Sequence, residues 1–281
     1  MKGGRSISIK MKHVDLHLHT TYSDGSCSPG QVVKDAALLG LNTIAITDHD
    51  HTAGYEEALE EANKWGIQLI TGVEITTPDY HILGYNFDIN NEEFQRTLEY
   101  SRKCQENIVK QRAEILNKQG IPITFEKIRN FFPKSRLGKL NLVMSMVLDA
   151  ECKKHTKTTY IEEIFDIYLR NNPEMDNIDK SKQLSSKQTI DAIHNAGGIA
   201  VLAHPFKDVK NPIKELKILK DLGLDGIEIQ PNYNGRNLFY RKYAEENNLI
   251  ITYGSDFHGA RYLKRPLLAR KENKIKPFWE N

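Results

Sequence analysis

The chain has 281 residues, 39% of them hydrophobic and 27% charged, with a net charge of +2. These values suit a globular protein, either one large β/α domain or one domain carrying an insertion. No run approaches the roughly 18 consecutive apolar residues of a membrane span, and the polar, basic start of the chain lacks the apolar core of a secretory signal.

Residues 1–10 read as an extension or tag, with Met11 as a plausible start. The three cysteines (Cys27, Cys104, Cys152) are scattered and odd in number. They fit neither a disulfide framework nor a zinc ribbon, so a reducing cytoplasm is the expected compartment.

Strand 13–19 opens the ordered part, and a turn, Ser23 to Pro29, follows it. Val32, Val33, Ala36, Ala37 and Leu39 form a helical stripe, with Ser28 as its cap, Pro29 in its first turn and Gly40 at its end. Strand 43–47, a helix from about Ala53 to Trp65, strand 67–73 and a short strand 81–85 come next. Asn90 then caps a long helix to about Lys118, with Glu93 at the capping-box position. Helix and loop continue to about residue 185, and polar Asn171 to Gln183 reads as a mobile connection. The β/α alternation returns with helix 186–196, strand 199–203, helix 211–222, strand 225–230, helix 235–247 and strand 249–253. The chain thus divides into an α/β body (12–90 and 186–265) and a mostly helical insertion (91–185). The basic tail, residues 260–281, gives no strand signal.

Five apolar runs end in His or carboxylate residues: His17 and His19, Asp48 and His49, Glu74, His204, and Asp256 and His258. A parallel β/α enzyme builds its site this way, by emptying polar residues at one end of each strand. His17 and His19 are two apart on a strand and share a face, as do Asp256 and His258. Asp15 shares the face of the first pair and is placed to orient an imidazole. Glu74 in an apolar strand end needs a charge partner or a metal. His81 stands at the start of an apolar triplet. Asp24 lies in a turn, where Asp is also common for turn chemistry alone. Of the other histidines, His13, His155 and His194 read as structural or surface residues, and His51 shares the loop of Asp50.

Charge is uneven along the chain. Residues 101–160 hold thirteen Lys or Arg against five acids, a local net charge of +8, which leaves about −6 for the rest. This is either a solvated helical surface or a basic lid facing an anionic substrate.

These pieces together resemble the PHP (polymerase and histidinol phosphatase) superfamily. The resemblance rests on Asp15-Leu-His17-Leu-His19-Thr20, Ser23-Asp24-Gly25, Thr47-Asp48-His49-Asp50, Gly72-Val-Glu74, His81-Ile-Leu-Gly-Tyr85, Gly197-Gly198 to His204-Pro205, and Gly254-Ser-Asp256-Phe-His258-Gly259. With Gly226-Ile-Glu228, it lies nearest the small phosphoesterases of nucleoside 3′,5′-bisphosphates and short oligonucleotides. The resemblance implies a distorted (β/α)7 TIM-like barrel with three divalent ions, Mn, Fe or Zn by donor type. His17, His19, Glu74 and Asp256 would hold one ion. Glu74 would bridge to a second, held also by His81 and His204. Asp24, His49 and His258 would hold the third and count as the catalytic set. Metals bridged by a carboxylate lower the pKa of a shared water and orient it for in-line attack on phosphorus.

In the relatives, Arg residues of a long helix and of a Gly-Arg-Pro-His element contact phosphate. Arg112 matches the first, although Val109 stands where a second basic residue is expected. The other element is here Gly138-Lys139-Leu140-Asn141, and Lys139 keeps the charge but not the two-pronged guanidinium. The expected substrate is a small phosphorylated nucleotide or short oligonucleotide, with no membrane and no stable duplex nucleic acid as partner. Histidinol-phosphate phosphatase and a non-catalytic metal-binding accessory domain are the alternatives. A nucleic-acid-binding module is a weaker one, because stacking aromatics are not evident.

Overall fold

The computed structural model describes residues 12–229, 234–259, 274–275 and 278–279. Its strands in chain order are β1 (Lys12–Leu18), β2 (Thr43–Ile46), β3 (Gln68–Ile70), β4 (Gly72–Thr76), β5 (His81–Tyr85), β6 (Ile199–Leu202), β7 (Gly226–Ile229), β8 (Ile250–Tyr253) and β9 (Lys274–Ile275). They pair as two sheets, ordered β3-β2-β1-β9 and β4-β5-β6-β7-β8. β1, β2 and β3 are parallel, as are β6, β7 and β8; β5 runs antiparallel to both of its neighbours. The mixed α/β architecture follows the expectation. The described strands pair as two sheets, with an antiparallel turn-back at β5.

The two sheets meet at two seams. An isolated parallel bridge joins Leu18 to Phe257, and another joins His49 to Glu74. At the first seam the His19 N–H donates to Phe257 O at 2.8 Å and the Asp256 N–H to His17 O at 3.0 Å. At the second the Asp50 N–H donates to Glu74 O at 2.8 Å. The expected strand 67–73 is divided at Thr71 because its two halves belong to different sheets. Gly72 permits the crossing: a Cβ there would lie 2.7 Å from Ile46 O.

The helices are α1 (Pro29–Leu38), α2 (Tyr55–Trp65), α3 (Glu92–Lys118), α4 (Phe125–Phe131), α5 (Lys139–Leu148), α6 (Ala150–His155), α7 (Ile161–Ile164), α8 (Ser186–Asn195), α9 (Pro205–Asp208), α10 (Pro212–Asp221) and α11 (Asn234–Glu246). Local signals explain most of their ends. Ser28 caps α1 by accepting from Gln31 N–H, with Pro29 following it, and Ser185 and Gln188 form a capping box on α8. α3 starts one residue later than expected, because Asn91, not Asn90, accepts from the Phe94 N–H.

Three apolar clusters hold the chain. The body packs Leu16, Val73, Tyr85, Leu202 and Ile227 between sheet and helices. A second cluster lies under α1 and α2, around Val32, Ile44 and Ala58. The third is confined to the insertion, around Ile108, Leu116, Leu142, Met146 and Ile164. α3 serves two of them, with Phe94 and Leu98 in the body and Ile108 and Leu116 in the insertion. Each such side chain, fully buried, contributes about 1.5–3 kcal/mol.

The connection Asn171 to Gln183 is not the free linker its polarity suggested. It carries a 3₁₀ turn, Pro173–Asn177, and buries Met175 and Ile178 in the insertion cluster. The tail also differs from expectation. Within residues 260–281, Lys274 and Ile275 pair with β1 and Trp279 is buried against the body; the remainder, like residues 1–11, lies outside the described residues.

Candidate metal centre

Nine side chains gather where the strands end. Glu74, on β4, is fully buried and lies at the centre. Its Oε2 is 3.3 Å from His17 Nε2, 3.2 Å from His19 Nε2 and 3.1 Å from His49 Nδ1. Its Oε1 is 3.0 Å from His81 Nδ1 and 2.9 Å from His204 Nε2. Asp256 Oδ1 is 3.5 Å from His17 and 3.4 Å from His19. Asp24 Oδ1 is 3.3 Å from His258 Nε2, and its Oδ2 is 3.8 Å from His49 Nε2.

All nine residues read from the sequence as ligands therefore meet in one cluster. Among the described residues three groups draw their donor atoms within 4.8 Å of one another: His19, Asp24, His49 and His258; His17, His19, Glu74 and Asp256; and His49, Glu74 and His81. The second matches the first expected set. In the others His19 and His49 each serve two groups, and His204 stands just outside, on Glu74. Asp24 Oδ1, His49 Nδ1, Glu74 Oε2 and His204 Nδ1 are buried without hydrogen-bond partners. Buried polar atoms are normally satisfied, and mixed imidazole and carboxylate donors converging without hydrogen bonds fit divalent transition ions.

The electrostatics agree. Burial works against every charge here, yet His49, His17 and His81 hold the Glu74 carboxyl well below the usual range. Asp24 is likewise lowered by His258 and His49, and Asp256 by Lys207 and His258. The carboxylates of Asp256 and Glu74, as acceptors for the His19 imidazole, in turn raise His19 to about 9 against its burial. Burial instead pushes His49 well below its usual value. Imidazolium protons thus supply, in the metal-free protein, some of the positive charge the carboxylates demand.

Backbone geometry adds to the concentration at the site. Asp50 (φ 47°), His204 (φ 25°) and Asp256 (φ 56°) all take positive φ. Such strain persists only where the surroundings over-determine it. Asp48 braces the turn carrying Asp24, accepting from the Thr20 N–H at 2.7 Å and from the Thr20 and Ser23 hydroxyls, each at 2.5 Å.

Four neighbours of the cluster were given no role in the sequence reading. Glu228 is buried; its Oε1 is 2.8 Å from His17 Nδ1 and its Oε2 accepts the His204 N–H at 2.7 Å. Asp15, expected to orient an imidazole, accepts the Ser255 N–H at 2.9 Å and the His17 N–H at 3.4 Å, and Glu228 meets the His17 ring. Glu228 carried the same signal as Glu74, a carboxylate within an apolar strand. Gly254 makes room for it: a Cβ there would lie 2.2 Å from His17 Cβ and 2.3 Å from Glu228 Oε1. Asp208 stands 3.2 Å from His204 Nδ1, and Lys207 ion-pairs with Asp256. Arg136 binds Asp50 through Nε at 2.9 Å and Nη2 at 2.7 Å. Nothing in the sequence marked the last three.

The cluster forms the floor of a cavity of about 520 Å³ whose other wall is the insertion. His17 and His19 lie behind the floor, while Asp24, His49, Glu74, His81, His204, Asp256 and His258 face the cavity. Arg112 and Lys139 line the opposite wall, and Arg136 and, on the cluster side, Lys207 also line the cavity. Burial and Arg136 lower Arg112 to about 10, and burial with Arg112 lowers Lys139 to about 8. Neither cation has a carboxylate ion-pair partner among the described residues. No helix among the described residues is long and apolar enough to cross a membrane.

The PHP domain profile matches residues 15–179. A 5′-3′ exoribonuclease of Haemophilus influenzae is 31% identical over 88% of this chain and 90% of its own length. A 3′,5′-nucleoside bisphosphate phosphatase of Chromobacterium violaceum is 27% identical over 88% of each chain. A solved structure from Bifidobacterium adolescentis, described as a presumed metal-dependent phosphoesterase, superposes with a TM-score of 0.79 at 27% identity, over 92% of this chain and 93% of that one. With its strand-end motifs gathered in one cluster and its profile match spanning more than half the sequence, the chain belongs to the PHP domain family.

Proposed function

We propose that the chain hydrolyses phosphate monoesters of small nucleotides, nucleoside 3′,5′-bisphosphates or the ends of short oligonucleotides. It is a metal-dependent phosphoesterase, a hydrolase of phosphoester bonds. The observation carrying the finer reading is the cavity itself, in which seven of the nine His and carboxylate side chains face the buried, unpaired Arg112 and the more exposed Lys139. A metal cluster alone would serve an accessory domain equally well. Arg112 opposite it asks for an anion, because a buried charge without a partner is costly.

In this reading His17, His19, Glu74 and Asp256 hold one ion, Glu74 with His81 and His204 a second, and Asp24, His49 and His258 a third. Bound Mn, Fe or Zn would supply Lewis acidity and an activated water. Arg112 and Lys139 fix the phosphate against the cluster, and Glu228 fixes the ring of His17. The two sheets are the wall of a distorted (β/α)7 barrel formed by 12–90 and 186–265, with 91–185 as the lid. The test is phosphate release from nucleoside 3′,5′-bisphosphates, histidinol phosphate and short RNA with added Mn²⁺. Release from none of them refutes the proposal, and preference for histidinol phosphate replaces it.

A further inference from the structure

The turn that carries Asp24 is held from two sides. Asp48 braces it from the body. From the insertion, one short segment reaches three successive carbonyls of the turn. The Ser135 hydroxyl donates to Thr21 O at 2.7 Å, the Arg136 N–H to Tyr22 O at 2.8 Å and the Asn141 amide to Ser23 O at 3.2 Å. Ser135, Arg136 and Asn141 are all buried. Loop carbonyls are commonly satisfied by water, but here another part of the chain supplies the donors.

A second grip lies at the corner just after His49. The Arg136 guanidinium spans Asp50 and Thr76, donating to Thr76 Oγ1 at 2.6 Å. The Ser101 hydroxyl donates to Asp50 Oδ1 at 2.8 Å, and Arg102 donates to Asp50 O at 3.1 Å. Asn141 links the grip on the Asp24 turn to the cavity wall. Its Oδ1 accepts the Gly138 N–H at 2.8 Å and so closes the first turn of α5, from which Lys139 faces the cavity. Its Nδ2 is the group that reaches Ser23. Gly138 lets the segment lie close against Arg136, since a Cβ there would be 2.9 Å from Nη1.

We infer that the insertion helps to build the third ion's site, with Ser135 and Asn141 as positioning residues that set Asp24 through the backbone of its turn. This rests on the reading above that gives Asp24, His49 and His258 to one ion. Asp24 and His49 stand on loops that the insertion grips. His17, His19, Glu74 and Asp256 stand instead on body strands or just past their ends. The segment that presents Lys139 to phosphate therefore also places Asp24. The insertion is a part of the metal centre as well as the wall opposite it, and its reach is selective for one ion.

The experiment is calorimetric titration of the full-length, metal-free protein with Mn²⁺, in which Asp24→Asn identifies the third ion by removing it. Asn141→Asp keeps the acceptor for the Gly138 N–H but has no N–H for Ser23. Ser135→Ala removes the hydroxyl donor to Thr21 and leaves α5 untouched. In each variant the ion lost from Asp24→Asn should bind about tenfold more weakly, the scale of one supporting hydrogen bond behind a ligand. The ion at His17, His19, Glu74 and Asp256 should stay within about twofold of its wild-type affinity. Amide exchange at Ser23 and Gly25 in the metal-free variants should quicken relative to Leu142. A role confined to capping α5 leaves Asn141→Asp like wild type in both measurements and overturns the inference. So does equal weakening of every ion, or an Asp24→Asn protein that binds as many ions as wild type. Failure of the phosphatase reading looks different: the wild-type enzyme then releases phosphate from no ester, whatever the Mn²⁺ titrations show.

Discussion

The two walls of the cavity are built on opposite plans. On the body side each charged group has several partners; Glu74 alone touches five imidazoles. On the insertion side the buried Arg112 and the more exposed Lys139 have no carboxylate paired to them among the described residues. The first wall is over-determined by the protein, so its geometry is set before any ligand arrives. The second is completed only by what enters the cavity. Substitutions in the first should therefore damage metal binding and the chemical step, and those in the second should damage substrate affinity.

Glu74→Gln should break this contrast most severely. Removing the shared carboxylate costs several kcal/mol of metal interaction, so activity should fall roughly a thousandfold and bound metal should drop on elemental analysis. Full activity in that variant would refute the central role of Glu74. Gly254→Ala and Glu228→Gln probe the support behind the cluster. The added methyl meets both His17 and Glu228, and each change should weaken metal affinity roughly 10- to 100-fold in a chelator competition. Lys139→Ala belongs to the other wall. It should raise KM about tenfold, the scale of a charge-assisted hydrogen bond, with kcat little changed. A fall in kcat of the same size would place Lys139 in the chemistry instead.

The smallest effect is one of pH. Burial, then the Arg112 charge, lowers Lys139 to about 8, so its ammonium is present below that pH and lost above it. KM for a phosphate substrate should rise as pH passes 8. In Lys139→Arg, where the charge persists, the rise should flatten. A KM profile identical in the two enzymes would return this wall to a solvated surface.

The body wall was legible in the sequence because strand periodicity forces it. Apolar runs that end in His, Asp or Glu leave few places for those groups except a shared strand end, and all nine met there. Glu228 was equally legible, since it interrupts an apolar strand just as Glu74 does. The insertion was harder to read. Its basic residues are scattered over helices and loops, so Arg136 and Lys139 look alike in sequence, although one binds Asp50 and the other faces the cavity unpaired. The run Asn171 to Gln183 misled because two apolar residues, Met175 and Ile178, suffice to pin it. The division of strand 67–73 was also hidden, because a crossing between sheets depends on what approaches Gly72 from another part of the chain.

The seams between the two sheets bear on how the protein assembles. Their rungs are made by His17, His19 and Asp256 on one side and by His49 and Glu74 on the other, the residues that face one another in the cluster. Closing the wall and gathering the donors are therefore a single event. Neither edge can gape without pulling donors apart, and an ion holding those donors acts as a rivet across both joints. Amide exchange at Asp50 and His19 should slow when metal is added and quicken when it is chelated, faster than exchange in the insertion core around Leu142.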